Sequence, residues 1–122
     1  MIKTPDLAHA IVRAARQGLE DWAGGQSIHS QGFKPSRIEF IHTLNHSRSG
    51  VPVVPRRLLP LSIKTRLGFD CVVVERWVEH LLAARPAAIT LHGRTLQQMY
   101  RGAADWSAIA EAAKLAHGTG TL

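Results

Sequence analysis

Leu61-Ser62-Ile63-Lys64-Thr65-Arg66-Leu67-Gly68 and, one βα unit later, Ile89-Thr90-Leu91-His92-Gly93-Arg94-Thr95 decide how this chain folds. Each tract is a short apolar, β-branched run that ends in a polar cluster and a glycine, with a helical pattern after it. Short β-branched runs read as buried strands, and strands alternating with helical patterns read as βαβ units around a parallel sheet. The polar tips then fall at the carboxyl ends of the strands, where α/β proteins present functional side chains.

Working outward from the two tracts, Leu59–Thr65 is expected to be the first strand and Ala87–Leu91 the second. Between them Asp70 is placed to cap a helix whose apolar face is Val73, Val74, Trp77, Val78, Leu81 and Leu82. Pro86 ends that helix, because a proline ring clashes inside one. After the second strand, Leu96–Tyr100 is expected to make one helical turn. Asp105 then caps a last helix bearing Trp106, Ile109, Ala110 and Ala113, which Gly118 closes. Trp77 and Trp106 are both expected in the core.

Upstream, Thr4, Pro5 and Asp6 form a helix-start signal, and Leu7, Ile11, Val12, Ala15 and Leu19 repeat at helical spacing until Gly24-Gly25. Residues 23–58 read as a surface insertion: a polar, turn-like beginning, a short helix over Arg37–Leu44, and loop from Asn45 to Pro60. Its charges over 26–58 are Lys34, Arg37, Arg48, Arg56 and Arg57 against Glu39. The order is helix, insertion, strand, helix, strand, helix. Two parallel strands alone do not cover both faces of a sheet. The chain reaches Gly118-Thr-Gly-Thr-Leu122 where a third strand is due, so it reads as part of something larger.

Composition narrows the class. The chain has 122 residues, a hydrophobic content of 45%, and 15 Lys and Arg against 9 Asp and Glu, for a formal charge of +6. It contains no apolar run of the roughly 20 residues that a membrane helix needs. A start of Met-Ile-Lys-Thr-Pro-Asp lacks a secretory pattern, and a cytoplasmic location is expected. One cysteine, Cys71, excludes an internal disulfide framework and a cysteine-based zinc cluster. A sequence pI near 10.5 suits a polyanionic partner, nucleic acid being the commonest, although a basic surface with no dedicated partner has the same composition. His42 and His46 have the spacing of a helical metal pair but no third ligand in view, so no metal site is expected.

The strand tips carry the chemistry. Neighbouring parallel strands are about 4.8 Å apart, so Lys64 and His92 are expected to share one site. A fixed ammonium there can stabilise an anionic ring, and an imidazole can donate a hydrogen bond. Arg66 and Arg94 suit forked contacts to phosphate. Solvated charges at strand ends are the competing reading.

The joint set Ser62-Ile63-Lys64-Thr65-Arg66-Leu67-Gly68, Leu91-His92-Gly93-Arg94-Thr95, Gln98-Met99-Tyr100 and Ala104-Asp105-Trp106 resembles the middle of a tRNA-dihydrouridine synthase. Ile2-Lys3-Thr4-Pro5-Asp6-Leu7 is similar to the family segment preceding the lysine strand. The resemblance covers roughly 1–22 and 59–117. It implies an α/β fold, a partial (β/α)8 TIM barrel of about two consecutive βα units preceded by a helix and a surface insertion. It also implies FMN as cofactor, NADPH as reductant and tRNA uridines as substrate, reduced at the 5,6 double bond. Lys64 and His92 match the family's flavin-contacting lysine and histidine; Arg66 and Arg94 match basic residues assigned to phosphate or substrate.

Two family motifs have no match in this chain: the Gly-Cys-Pro whose cysteine protonates uracil, and the Asn-Gly-Asp of the phosphate-binding strands. No catalytic residue is therefore assigned, and Cys71 is read as a buried or incidental thiol. The chain is expected to be an internal fragment of an FMN-binding barrel domain that alone neither holds FMN tightly nor turns over. Tyr100 is placed near a substrate base or, more simply, against the barrel rim. Two rivals remain at this stage: an FMN-dependent barrel oxidoreductase acting on a small metabolite, and a non-catalytic basic RNA-binding remnant.

Overall fold

A computed structural model describes residues 2–48 and 56–119. The order of elements is α1 (Pro5–Ala23), a 3-10 turn (Ile28–Gln31), α2 (Pro35–Ser47), β1 (Ser62–Arg66), α3 (Val74–Ala83), β2 (Ala88–His92) and α4 (Trp106–Ala116). Two compact units result: one from residues 2–16 and 60–119, the other from residues within 17–59.

In the first unit β1 and β2 pair in parallel, with Ser62 opposite Ala88, Lys64 opposite Thr90 and Arg66 opposite His92. Side chains alternate across a strand, so the two faces can be assigned from their contacts. Ile63 and Ile89 pack against Ala8, Trp77 and Leu81, while Leu91 packs with Leu67, Val74, Val78, Ala108 and Ala112. Thr65 lies on the same side and accepts a hydrogen bond from Trp77 Nε1 at 2.8 Å. The helices therefore cover the odd-numbered face. Leu67, Val78 and Leu81 are its most deeply buried side chains, each contributing roughly 1.5–3 kcal/mol from burial. Ser62, Lys64, Arg66, Ala88, Thr90 and His92 share the opposite face.

α3 is helical because Val74, Trp77, Val78 and Leu81 recur on one stripe, and all four are buried. The carbonyls just past its end are tied by Arg16, which donates to Ala84 O at 2.7 Å and Arg85 O at 3.0 Å. Arg85 takes φ 47°, leaving the helix just before Pro86. α4 starts as the sequence indicates: the Asp105 carboxylate accepts from Ala108 N at 2.9 Å. Hydrogen bonds from Ser107 and from the Ala108 backbone hold that carboxyl below its usual range.

Several sequence expectations need correcting. Asp70 caps nothing. The N-cap of α3 is Val73, without a side-chain bond, whereas Asp70 accepts from Cys71 N and pairs with Lys3 Nζ at 3.2 Å. Trp106 is not core: as the first residue of α4 it points outward and is 74% exposed. Cys71 is free and exposed, which removes the buried alternative for its thiol and leaves the incidental one untouched. Both strands run one or more residues later than their apolar runs suggest, so His92 ends β2 instead of opening the loop. Residues 96–100 form hydrogen-bonded turns, Met99 N donating to Leu96 O at 3.1 Å, so a single turn is present there without a helix.

In the second unit α2 runs from Pro35 to Ser47, longer than the Arg37–Leu44 helix expected, and buries no residue. Arg56 Nη1 donates to Gln26 O at 3.2 Å and Trp22 O at 3.4 Å, tying residue 56 back to the end of α1. Of the loop expected from Asn45 to Pro60, Asn45–Ser47 belong to α2 instead and residues 56–60 have no regular structure; residues 49–55, and the expected third strand near Leu122, lie outside the described residues. Among the described residues no helix is long and apolar enough to cross a membrane. None of their His, Cys, Asp and Glu side chains, His42 and His46 included, form a group able to hold a metal ion.

Candidate cofactor and anion site

The parallel register sets the site. Lys64, Arg66 and His92 project from the face of the sheet that the helices leave bare, Arg66 directly opposite His92 and Lys64 one pleat behind it. Lys64 and His92 thus share a face, but as diagonal and not direct neighbours. Gly68 follows β1 where a Cβ would collide with the carbonyl of Cys71, so only glycine allows this turn. Gly93 follows β2 where a Cβ would lie 2.8 Å from Ile109 Cδ1 and 3.1 Å from Ala104 Cβ, which brings α4 close beneath His92.

The two loops beyond the strands are stitched together by main-chain bonds, Leu96 N to Gly68 O and Gln97 N to Phe69 O, both 2.9 Å. The arginines finish the job. Arg66 Nη1 donates to Thr95 O at 3.0 Å and Met99 O at 3.2 Å; Arg94 donates through Nε and Nη2 to Gly102 O at 3.2 and 2.9 Å. Both guanidinium groups therefore hold the 95–102 loop, a structural role that the sequence did not suggest for them. Arg66 keeps Nε and Nη2 without a hydrogen bond among the described residues. Thr95 and Gln98 add a reciprocal pair: Thr95 N to Gln98 Oε1 at 2.7 Å, Gln98 N to Thr95 Oγ1 at 3.3 Å. This capping-box arrangement was legible as Thr-x-x-Gln and was missed. It orders a loop whose Tyr100 is 78% exposed, its ring centroid 6.1 Å from that of His92.

Electrostatics fix the state of His92. Arg94 Nη1 lies 3.3 Å from His92 Nε2. A guanidinium has no acceptor, so Nε2 carries the lone pair and the proton sits on Nδ1. Partial burial and then the charges of Arg66, Arg94 and Lys64 hold the imidazole below the ordinary histidine range. The group is thus a neutral hydrogen-bond donor among three cations. Among the described residues none of these cations is paired with a carboxylate. Three unpaired cations around one neutral donor make an anion-accepting surface. Beside Lys64, a groove of about 350 Å³ runs along the free edge of β1, lined on its far side by Ile11, Val12 and Ala15 of α1.

The fold and site define an α/β chain that gathers cations and a donor at the carboxyl ends of parallel strands. The chain belongs to the dihydrouridine synthase family, whose model matches residues 44–115, more than half of its length. It is 47% identical over 58 residues to a probable tRNA-dihydrouridine synthase of Aquifex aeolicus, covering 48% of this chain and 18% of that protein. It is 41% identical over 90 residues to a tRNA-dihydrouridine(47) synthase [NAD(P)(+)] of Botryotinia fuckeliana, covering 66% of this chain and 12% of that protein. With a probable synthase of Rhodobacter capsulatus it shares 46% over 57 residues, 43% of this chain and 17% of the relative. The chain thus spans less than a fifth of these relatives' lengths. No solved structure matches it significantly.

Proposed function

We propose that this chain forms the flavin- and substrate-facing sector of a tRNA-dihydrouridine synthase, an enzyme on a (β/α)8 barrel of which β1–α3 and β2–α4 are two consecutive units. The observation that carries the reading is the grouping of Lys64, Arg66 and His92 on the bare face of a parallel sheet, in a chain of this family. In the proposed barrel that face turns inward, which would aim Lys64, Arg66 and His92 at a common ligand at the carboxyl ends of the strands.

The donor set fits FMN. Lys64 supplies a cation for the pyrimidine side of the ring, and the Nδ1–H of His92 a donor to a ring or phosphate oxygen. Because His92 stays neutral, it donates without adding a fourth positive charge. Arg66 has two donor nitrogens left for phosphate or substrate, while Arg94 orients the imidazole and holds the loop. When bound, FMN reduced by NADPH supplies the hydride for the uridine 5,6 double bond. The basic balance of the chain suits tRNA as the substrate. A cytoplasmic location follows from that substrate. No residue of this chain is assigned to protonate the uracil ring, and the 122-residue segment on its own is expected to bind FMN weakly and to be inactive.

The test is complementation. A longer synthase reading frame that carries this 122-residue segment is expressed in a bacterial strain devoid of dihydrouridine, and bulk tRNA is analysed by nucleoside mass spectrometry. Dihydrouridine is expected to return with the wild type and to fall at least tenfold with Lys64→Ala. A folded, expressed product that leaves tRNA without dihydrouridine would overturn the reading.

A further inference from the structure

Residues Pro35–Thr43 of helix α2 lie before the region matched by the family, which begins at Leu44 and so takes in only the last turn of the helix and its C-cap Arg48. At 100° per residue, Arg37, Phe40, Ile41, Leu44 and the C-cap Arg48 fall within an arc of about 100°. Lys34, the N-cap residue, extends the arc at its entry. The only acidic residue of the helix, Glu39, falls on the far side. Phe40 is 62% exposed, and Leu44, Arg37, Arg48 and Lys34 are exposed too. None of the three cations makes an ion pair among the described residues.

A merely solvated face would mix signs and carry no large aromatic. This one has cations of one sign interleaved with an exposed ring, the pairing that lets a protein grip phosphates and stack an unpaired base. We infer that this arc of α2 is an RNA-contacting surface, Arg37 and Arg48 neutralising phosphates while Phe40 stacks on an exposed base. Two arginines set at both ends of a helix of 13 residues are about 16 Å apart, reaching phosphates two or three nucleotides distant. The choice of RNA over other polyanions rests on the tRNA reading above and deepens it by naming a second contact outside the strand-end site.

The experiment measures affinity of the chain for an unmodified tRNA transcript by fluorescence anisotropy across a salt series, with circular dichroism confirming the fold of each variant. Arg37→Glu with Arg48→Glu is expected to weaken binding at least tenfold and to reduce the slope of log K against log salt by about 2. Phe40→Ala is expected to weaken tRNA binding about fivefold without changing the affinity for inorganic polyphosphate, and Phe40→Trp to restore it. Glu39→Lys, on the opposite side, is expected to change tRNA affinity less than twofold. Unchanged affinity in the double variant overturns the surface, as does a Glu39→Lys effect equal in size to the arginine reversal. The two readings separate cleanly. Loss of dihydrouridine formation with tRNA binding intact removes the enzyme reading alone, whereas normal modification with binding insensitive to α2 removes this surface alone.

Discussion

α3 and α2 are amphipathic-looking segments of similar length with opposite fates. In α3 the apolar residues Val74, Trp77, Val78 and Leu81 close up into one stripe, and every one is buried against the sheet and neighbouring helices. In α2 Phe40, Ile41 and Leu44 also share a stripe, but Arg37 and Arg48 stand in the same arc, and no residue of the helix is buried. The cations divide in the same way. Lys64, Arg66 and Arg94 converge on one imidazole, whereas Lys34, Arg37 and Arg48 are strung along a helix. A packed βα layer aims charges at a point; an uncovered helix lays them out in a line. The first arrangement suits a small anion and the second an extended one.

The sharpest way to break this contrast is to cut into the packed half. Leu81→Ala is expected to destabilise the fold by about 3 kcal/mol, since it leaves a cavity between α1, α3 and the sheet. A denaturant midpoint indistinguishable from wild type would show that this half is not the tightly packed one. Trp77→Phe keeps most of the volume but leaves Thr65 Oγ1 without its donor, and about 1 kcal/mol is expected in the same measurement.

A third probe addresses the converging charges. Because burial and three cations lower the pKa of His92, its imidazole should titrate in NMR with a midpoint below 6.5. A depressed folded-state pKa means the neutral form is favoured by folding. The associated stability is complete above pH 6.5 and declines as pH falls toward the folded midpoint. Arg66→Gln should raise the midpoint toward 6.5, and by more than Lys64→Gln does, since Arg66 exerts the larger charge effect. A midpoint at or above 6.5 in the wild type would dissolve the proposed cluster. The smallest effect belongs to the open half: Leu44→Ala in α2 is expected to move stability by less than about 0.5 kcal/mol. A loss of 2 kcal/mol or more there would mean that α2 is covered after all.

Much of the packed half was readable in advance because its signals are local. The strand tracts, the stripe of α3, the Asp105 cap and the stop at Pro86 each follow from a few adjacent residues. Trp106 misled because an apolar first residue of a helix looks like part of the stripe, while its position at the N-terminus turns it outward. Asp70 misled because a capping residue is recognised by its distance from the helix start, and the start slipped to Val74. The roles of Arg66 and Arg94 as loop ties were invisible, since their carbonyl partners are Met99, Thr95 and Gly102, chosen by how the loop returns.

By itself the sequence determined that two βα units stand in order, that a lysine and a histidine lie toward the carboxyl ends of their strand tracts, and that the chain is basic, because propensity, punctuation and charge are properties of neighbouring residues. Only the tertiary structure decided the rest. Parallel register paired Arg66, not Lys64, with His92, and helix packing chose which face of the sheet stayed bare. The approach of Arg94 placed the imidazole proton on Nδ1. These depend on distances between residues far apart in the chain, which no local pattern encodes.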